Sequence, residues 1–598
     1  MPGPPPSYPR AVCCIAVSAT LALVSPEAIA ATHRPDYTPR VVDVSVTNPT
    51  FHGVANLMMY KVTATVDDVF DNARHEAMVG FTTTAPPVGH PRACPTGATY
   101  SWSNAQTYAG SDTLSWTLYN FQPGTSYYYA IRTGSPGYYQ YRCGALSTAA
   151  APTPTPPPAL AELALVIDNS SDSYSTKYVL FDTDDCELHN HLVALDAETR
   201  RIVWYLDIPA VTGIENAKVG GWRYQARGSS HLTSDRIVAT LSVDAARNYL
   251  FELELDGTVL QSKNFDRYGS GGTAHLCDGS GPGSVGPCPS HDAFKSDVTG
   301  ATYVLVSGAS GVGIAGNPTW TRPVCKSPPY QFLHDGVHAL DEDYGVLFTK
   351  YFMDDLGYDP AVDPGPNAPA GCADSPAWIH SLNPAYHWID WLHVNTVSGT
   401  DDGKYLDISM KQMDQVARIQ ADGGGTAPVW TLAGDSAYSS FGALRSTVIG
   451  STTFASQHDV HEVGTDTILM LDNKGNPGAA PGTVATRALS ISFTNGPSPS
   501  ARIEKSWALV DDNPVIVSPL ACPFKGSAQL VPGDSDSVLA LCHDEWVIEE
   551  LNDPTGAETS PSLYISLPPE NVCPTTGTER PGIDGWYRAY PLDRIGEF

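Results

Sequence analysis

The chain of 598 residues carries a formal charge of −30, is 42% hydrophobic and contains 12 cysteines. So acidic a surface repels nucleic acid and anionic membranes, which excludes both as general partners, and any anionic ligand must meet a local cluster of donors. The apolar content is ample for two domains.

Residues 1–30 run from a polar stretch ending at Arg10 through the apolar segment 11–24 to Ala28, Ile29 and Ala30. Small residues at both specificity positions of a signal-peptidase site predict a cleaved signal. About 14 apolar residues fall short of the roughly 20 that a spanning helix needs, so membrane insertion is not expected. The expected destination is secreted or periplasmic. Cys13 and Cys14 leave with the signal, and the remaining ten cysteines, from Cys94 to Cys573, contain no CxxC pair. An even, scattered set fits disulfides in an oxidising compartment rather than a thiolate zinc site, and leaves the connectivity open.

Residues 40–148 alternate apolar and polar in short runs, and the segment LYNFQPGTSYYYAIR over 118–132 places a Pro-Gly turn before a Tyr-rich strand. That pattern predicts a small fibronectin-III-like β-sandwich, which Cys94 and Cys143 could staple. The Pro/Thr/Ala segment at 149–160 reads as a semi-rigid linker, and residues 161–598 as a second, larger domain.

The large region lacks helical periodicity but repeats a phrase: a polar residue, an alternating stretch, a loop rich in Asp, Gly, Ser or Thr, then a strongly apolar strand. Copies begin at His231, His291, His393, His458 and Ser527, and a further unit spans 163–208. Four strands per unit with insertions is the signature of propeller blades, so the fold class is predicted as all-β, a six-bladed β-propeller behind the sandwich. In this reading the four histidines occupy one register position, the start of the innermost strand, and converge at one mouth of the channel. A lone histidine beside a strand is usually structural, whereas four in register make a candidate site. Asn395, two residues after His393, falls on the same strand face and offers an amide donor. Lys411 in the following strand offers the fixed charge a sulfate or phosphate needs. Tyr386, Trp388, Trp391 and Phe454 are candidates to stack on an aryl group.

Three segments carry a resemblance: DWLHVNTV at 390–397, YLDISMKQMDQVARI at 405–419 with VWTLAG at 429–434, and FASQHDVHEVGTDTILMLDN at 454–473. They resemble the bacterial arylsulfotransferases that use aryl sulfates directly rather than a nucleotide sulfate. CPSHDAF at 288–294, GSAQLV at 526–531 and WYRAYPL at 586–592 are similar to shorter pieces of the same family. The resemblance implies a small aryl sulfate donor, a phenolic acceptor and no cofactor. It makes His458 the nucleophile that becomes sulfurylated, His393 and Asn395 holders of the sulfuryl oxygens, and His291 the proton donor to the departing phenolate. Lys411 stands where the family usually has arginine, and His231 inherits no role beyond its place in the pocket. The oligomeric state is not readable.

Three other readings compete. His334, Asp335 and His338, or His458, Asp459 and His461, could hold a metal, but His458 and His461, three apart on a strand, face opposite sides. ALDAETRRIVWYL at 194–206 resembles the docking repeat of quinone enzymes, yet is clear only once. A non-catalytic ligand-binding propeller derived from the same family is the third.

Overall fold

The alternation of β-branched and aromatic residues with polar ones does form strands. The computed structural model describes most of residues 40–146 and 166–595, the longest internal stretches left out being 276–287, 310–330, 357–378, 435–447, 474–485 and 567–586. The signal and linker segments, and His231, Trp391 and six of the ten later cysteines, lie outside what it describes or have no described side chain.

Residues 40–146 build two antiparallel sheets. One is Arg40–Thr47, Tyr60–Asp67 and Asp112–Leu118; the other centres on His75–Thr82 and Tyr127–Ser135. Tyr60–Asp67 buries every second residue, as a strand with one face on a core must. Val62, Ala64, Val79, Trp116 and Ile131 fill the space between the sheets, and Cys94 and Cys143 form a disulfide. Met58 and Met59 pack into the core of the large region, while Lys61 and Thr117 reach Asp256.

The large region is a series of sheets of four to six strands, each built on four antiparallel strands that follow one another in the chain, two of them extended by a parallel pair. Their first strands are Lys218–Gln225, Cys288–Lys295, Val394–Gly399, His458–Gly464 and Ser527–Val531. Another sheet uses Tyr178–Asp184, Asn190–Asp196 and Arg201–Asp207, and takes its first strand from the C-terminus, Ala589–Leu592. Val166–Asp168, expected in that same unit, instead pairs with Leu563–Ser566 at the outer edge of the preceding sheet. The chain ends are thereby exchanged between neighbouring sheets, which covers edges that would otherwise be open.

The core is divided into clusters that each fill the gap between consecutive sheets. Val238 and Leu250 meet Val304 and Leu340; Tyr303 and Leu305 meet Val397 and Ile408; Val416 and Trp430 meet Ile468 and Leu489; Leu469 and Ala488 meet Ala528 and Val538. The last cluster joins Leu539 and Ile548 to Leu180 and Val193, and these to Ile237 and Leu253, so the series closes on itself. Each fully buried aliphatic or aromatic side chain contributes about 1.5 to 3 kcal/mol. Tryptophans tie neighbouring sheets by a polar contact as well: Trp204 Nε1 donates to the Leu255 carbonyl at 2.9 Å and Trp507 Nε1 to that of Asp536 at 2.8 Å. The result is a propeller-like all-β arrangement in which first strands face a common axis. Cys522 and Cys542 form a second disulfide. No described helix is long and apolar enough to cross a membrane.

Candidate functional site

The first strands bring His291, His393 and His458 together. His458 opens its strand, His393 immediately precedes Val394–Gly399, and His291 sits in a bulge where pairing with Thr302–Ala309 is interrupted between Pro289 and Ala293. His291 and His393 have φ of +54° and +45°, and Ser456 and Asp459, flanking the His458 segment, have +54° and +53°. Non-glycine residues in this region cost of order 1 kcal/mol or more each and persist where surrounding contacts impose them. Here the contacts are visible. Gly221 lies so close to the His291 carbonyl that a Cβ would stand 1.4 Å from its oxygen, so only glycine lets that chain approach.

Each residue of the Gln457-His458-Asp459 segment faces a different partner. The Gln457 side-chain amide nitrogen lies within donating distance of the Gln415 carbonyl at 2.8 Å and of Ser409 Oγ and the Met410 carbonyl at 3.2 Å each, while the Gln457 backbone carbonyl accepts from Asn395 Nδ2 at 2.8 Å. His458 Nδ1 meets two oxygens, Asn473 Oδ1 at 2.8 Å and the Ser456 carbonyl at 3.1 Å. Asp459 turns to the axis, where its carboxylate accepts from Arg588 Nε at 2.9 Å and Gln529 Nε2 at 2.6 Å.

Asp292, following His291, does the same. It accepts two bonds from Arg588, at 2.6 and 2.9 Å, one from Arg223 at 2.8 Å and one from the Val397 amide at 3.1 Å. Arg588 is 1% exposed and the two carboxylates 0% and 1%, so the guanidinium ties the two His-Asp segments across the axis in a buried, charge-balanced cluster of two arginines and two aspartates. Burial disfavours charge on Asp292, but Arg223 and Arg588 outweigh it and hold its pKa below the ordinary carboxylate value. Arg588 is held charged by Asp292 and Asp459, against its own burial.

The ring centroids of His291 and His393 are 4.8 Å apart. Burial pushes the His458 pKa well below 6.5, and the positive charge of Lys411 pushes it the same way, with His393 and His291 adding smaller effects. The Asn473 hydrogen bond opposes that shift without overcoming it. Lys411 is therefore near His458, and it is 7% exposed rather than a solvated surface residue. It lies in a short 3-10 turn, Lys411–Met413, just after the strand Tyr405–Met410 that was expected to carry it. Its amide donates to the His393 carbonyl at 3.2 Å.

Two expectations change, and others lie outside the described residues. His231 lies outside the described residues; the first strand of its sheet, Lys218–Gln225, precedes it in the chain. Asn395 is fully buried, and one amide N–H is spent on Gln457. Phe454 belongs to the core beside Val416 and Trp430 and is no platform for an aryl ring. The side chains of Tyr386 and Trp388 lie outside the described residues. His338 pairs with Thr349, and His461 Nδ1 with the Asp459 carbonyl, while among the described residues no group of three or more His, Cys, Asp or Glu is gathered to hold a metal. A cavity of about 700 Å³ lined by Tyr303, Phe348, Tyr405 and Lys404 contains none of the site histidines.

Two residues that organise the site were not singled out from the sequence, Asn473 and Arg588. Each interrupts or ends an apolar run, TILMLDN and YRAYPL, and that interruption is the signal that could have found them.

No protein-family model matches the chain, and no curated protein matches it. Solved structures similar to it include a candidate 6-phosphogluconolactonase from Bacteroides uniformis ATCC 8492, 11% identical, covering 82% of this chain and 99% of that one, with a TM-score of 0.28. A protein from Lactobacillus plantarum is 7% identical over 65% of this chain and 99% of its own, with a TM-score of 0.29. At these scores the likeness carries no argument about function.

Proposed function

We propose that the protein is an aryl-sulfate sulfotransferase, in which a six-bladed propeller over residues 161–598, behind a fibronectin-III-like domain over 40–148, transfers a sulfuryl group from an aryl sulfate to a phenol through His458. It would follow a cleaved signal and work in a secreted or periplasmic setting. The observation that carries this reading is one buried imidazole, kept neutral, with a buried lysine and two further histidines around it. A neutral ring is a competent nucleophile, and the neighbouring charge suits an anionic substrate that an acidic surface would otherwise repel.

In the first half-reaction the His458 Nε2 lone pair attacks sulfur and the S–O bond to the aryl group breaks. His291 supplies the proton that the phenolate takes. Lys411 and His393 stabilise the non-bridging oxygens as charge spreads onto them, which fixed groups do better than water. In the second half-reaction the acceptor phenol gives its proton to His291 and its oxygen attacks sulfur. The N–S bond then breaks, its electron pair returning to Nε2. Asn395 acts here through Gln457, fixing the segment that carries the nucleophile. His231 is left as a pocket residue.

The test is release of the first phenol from a chromogenic aryl sulfate, with and without an acceptor phenol, in the presence of EDTA. Transfer that proceeds under chelation and shows ping-pong kinetics supports the reading. No turnover with any aryl sulfate favours a non-catalytic ligand-binding propeller, and loss on chelation restored by a divalent ion overturns the metal-free chemistry.

A further inference from the structure

The surroundings of His458 specify more than its neutrality. Nδ1 faces two oxygens, the Asn473 side-chain carbonyl at 2.8 Å and the Ser456 backbone carbonyl at 3.1 Å. A nitrogen lone pair cannot face two oxygen lone pairs, so Nδ1 carries the proton and Nε2 the lone pair. The orientation of the amide is itself determined. Asn473 Nδ2 donates to the Cys522 carbonyl at 2.7 Å and to the Lys525 carbonyl at 2.8 Å, so its NH2 is spent and its oxygen must point to the ring. Asn473 follows the strand Thr467–Asp472, whose Leu471 pairs with His458, and is 2% exposed.

We infer that Asn473 is a positioning residue that keeps a proton on His458 Nδ1 through both half-reactions, so that the group leaving the sulfurylated enzyme is always neutral imidazole. This rests on the sulfuryl-transfer reading. When Nε2 attacks sulfur, the ring gains positive charge and the Nδ1–H becomes more acidic. An amide oxygen accepts that hydrogen bond but is too weak a base to take the proton. The N–S bond therefore breaks to give neutral imidazole, a better leaving group than imidazolate. A carboxylate in the same place would accept the proton in part, and in the free enzyme would stabilise imidazolium and remove the lone pair needed for attack. The choice of amide over acid thus separates orienting the ring from charging it.

The charged and titratable groups around His458 agree with this. Lys411, His393 and His291 all disfavour a charged ring. Asp459 is turned to Arg588, Asp414 accepts the Ser456 amide at 2.7 Å, and Asp472 accepts the Ala455 amide at 2.9 Å and pairs with Arg487. Among the carboxylates named here, each is engaged elsewhere, which leaves the amide as the orienting acceptor on the side chain's Nδ1.

The experiment uses the full chain labelled with ¹⁵N-histidine, and follows the His458 ring nitrogens by long-range ¹⁵N–¹H correlation, assigned with His458→Asn. Wild type should show protonated Nδ1 and unprotonated Nε2 from neutral pH to well below pH 6.5. Asn473→Asp should raise the acid limb of kcat/KM for an aryl sulfate by about one pH unit or more, and lengthen the life of the sulfurylated enzyme once excess donor is removed. Asn473→Leu should lower kcat by about 10- to 100-fold with KM little changed, since a lost charge-assisted contact is a matter of about 1.5 to 3 kcal/mol. An Nε2–H tautomer in wild type, or an acid limb unmoved in Asn473→Asp, overturns the inference. Should wild type take no sulfuryl group from any aryl sulfate, the transfer reading falls with it, whereas the tautomer measurement still decides whether Asn473 orients the ring.

Discussion

Arg588→Met removes the cation that joins the two His-Asp segments. The guanidinium makes two bonds to Asp292, one to Asp459 and one to the Trp222 carbonyl, all buried. After its loss Asp292 keeps Arg223 and the Val397 amide, but Asp459 keeps only Gln529 and a 3.3 Å contact from the Ala528 amide. A buried carboxylate stripped of its cation costs far more than the pair contributed, so the loss should be about 3 to 5 kcal/mol. Equilibrium urea unfolding at neutral pH measures it. Because the penalty comes from the orphaned charge, adding Asp459→Asn to the variant should recover at least about 1 kcal/mol, a coupling of the kind a double-mutant cycle isolates. Arg588→Lys, which keeps charge without the fork, should fall between. A loss below about 1 kcal/mol for Arg588→Met, or additive effects of the two substitutions, would refute the reasoning that this arginine holds the axis together.

Lys411→Met should lower kcat/KM for an aryl sulfate by about 10- to 150-fold, the worth of one charge-assisted contact, while Lys411→Arg retains activity; equal rates in Lys411→Met and wild type would remove the lysine from the anion pocket. Stability should fall on acidification from about pH 6.5, because His458 and His461 have folded pKa values below the unfolded one of about 6.5, so the unfolded chain takes up protons first. The slope is at most about 1.4 kcal/mol per pH unit for each histidine until the folded pKa is reached. His461→Gln should flatten it, as read from urea midpoints at pH 7.5 and 5. Asp292 acts in the same sense at lower pH: its depressed pKa contributes stability that is present above the unfolded carboxylate value and is lost as pH falls below it.

The strand-loop-strand phrase was sufficient to find the sheets, since period-two alternation reports directly which face is buried. It also brought out His291, His393 and His458, because equivalent positions in equivalent sheets converge whatever their separation in the chain. His231 lies outside the described residues; its unit's apolar strand, Arg236–Asp244, is second in its sheet as in the other units, but the first strand, Lys218–Gln225, precedes His231 in the chain. The exchange of chain ends was hidden too: Val166–Asp168 and Ala589–Leu592 are ordinary strands whose partners are fixed only by closing the ring. Asn473 and Arg588 act through partners 15 to more than 100 residues away, so their roles required the fold.

The central claim is that His458 carries the sulfuryl group. Intact-mass measurement of the protein after exposure to an aryl sulfate without acceptor, followed by peptide mapping, tests it most directly. The account predicts one added SO₃ on the peptide containing His458, removed when a phenol is supplied, and no addition to a folded His458→Asn variant. Labelling of that variant at the wild-type level would contradict it.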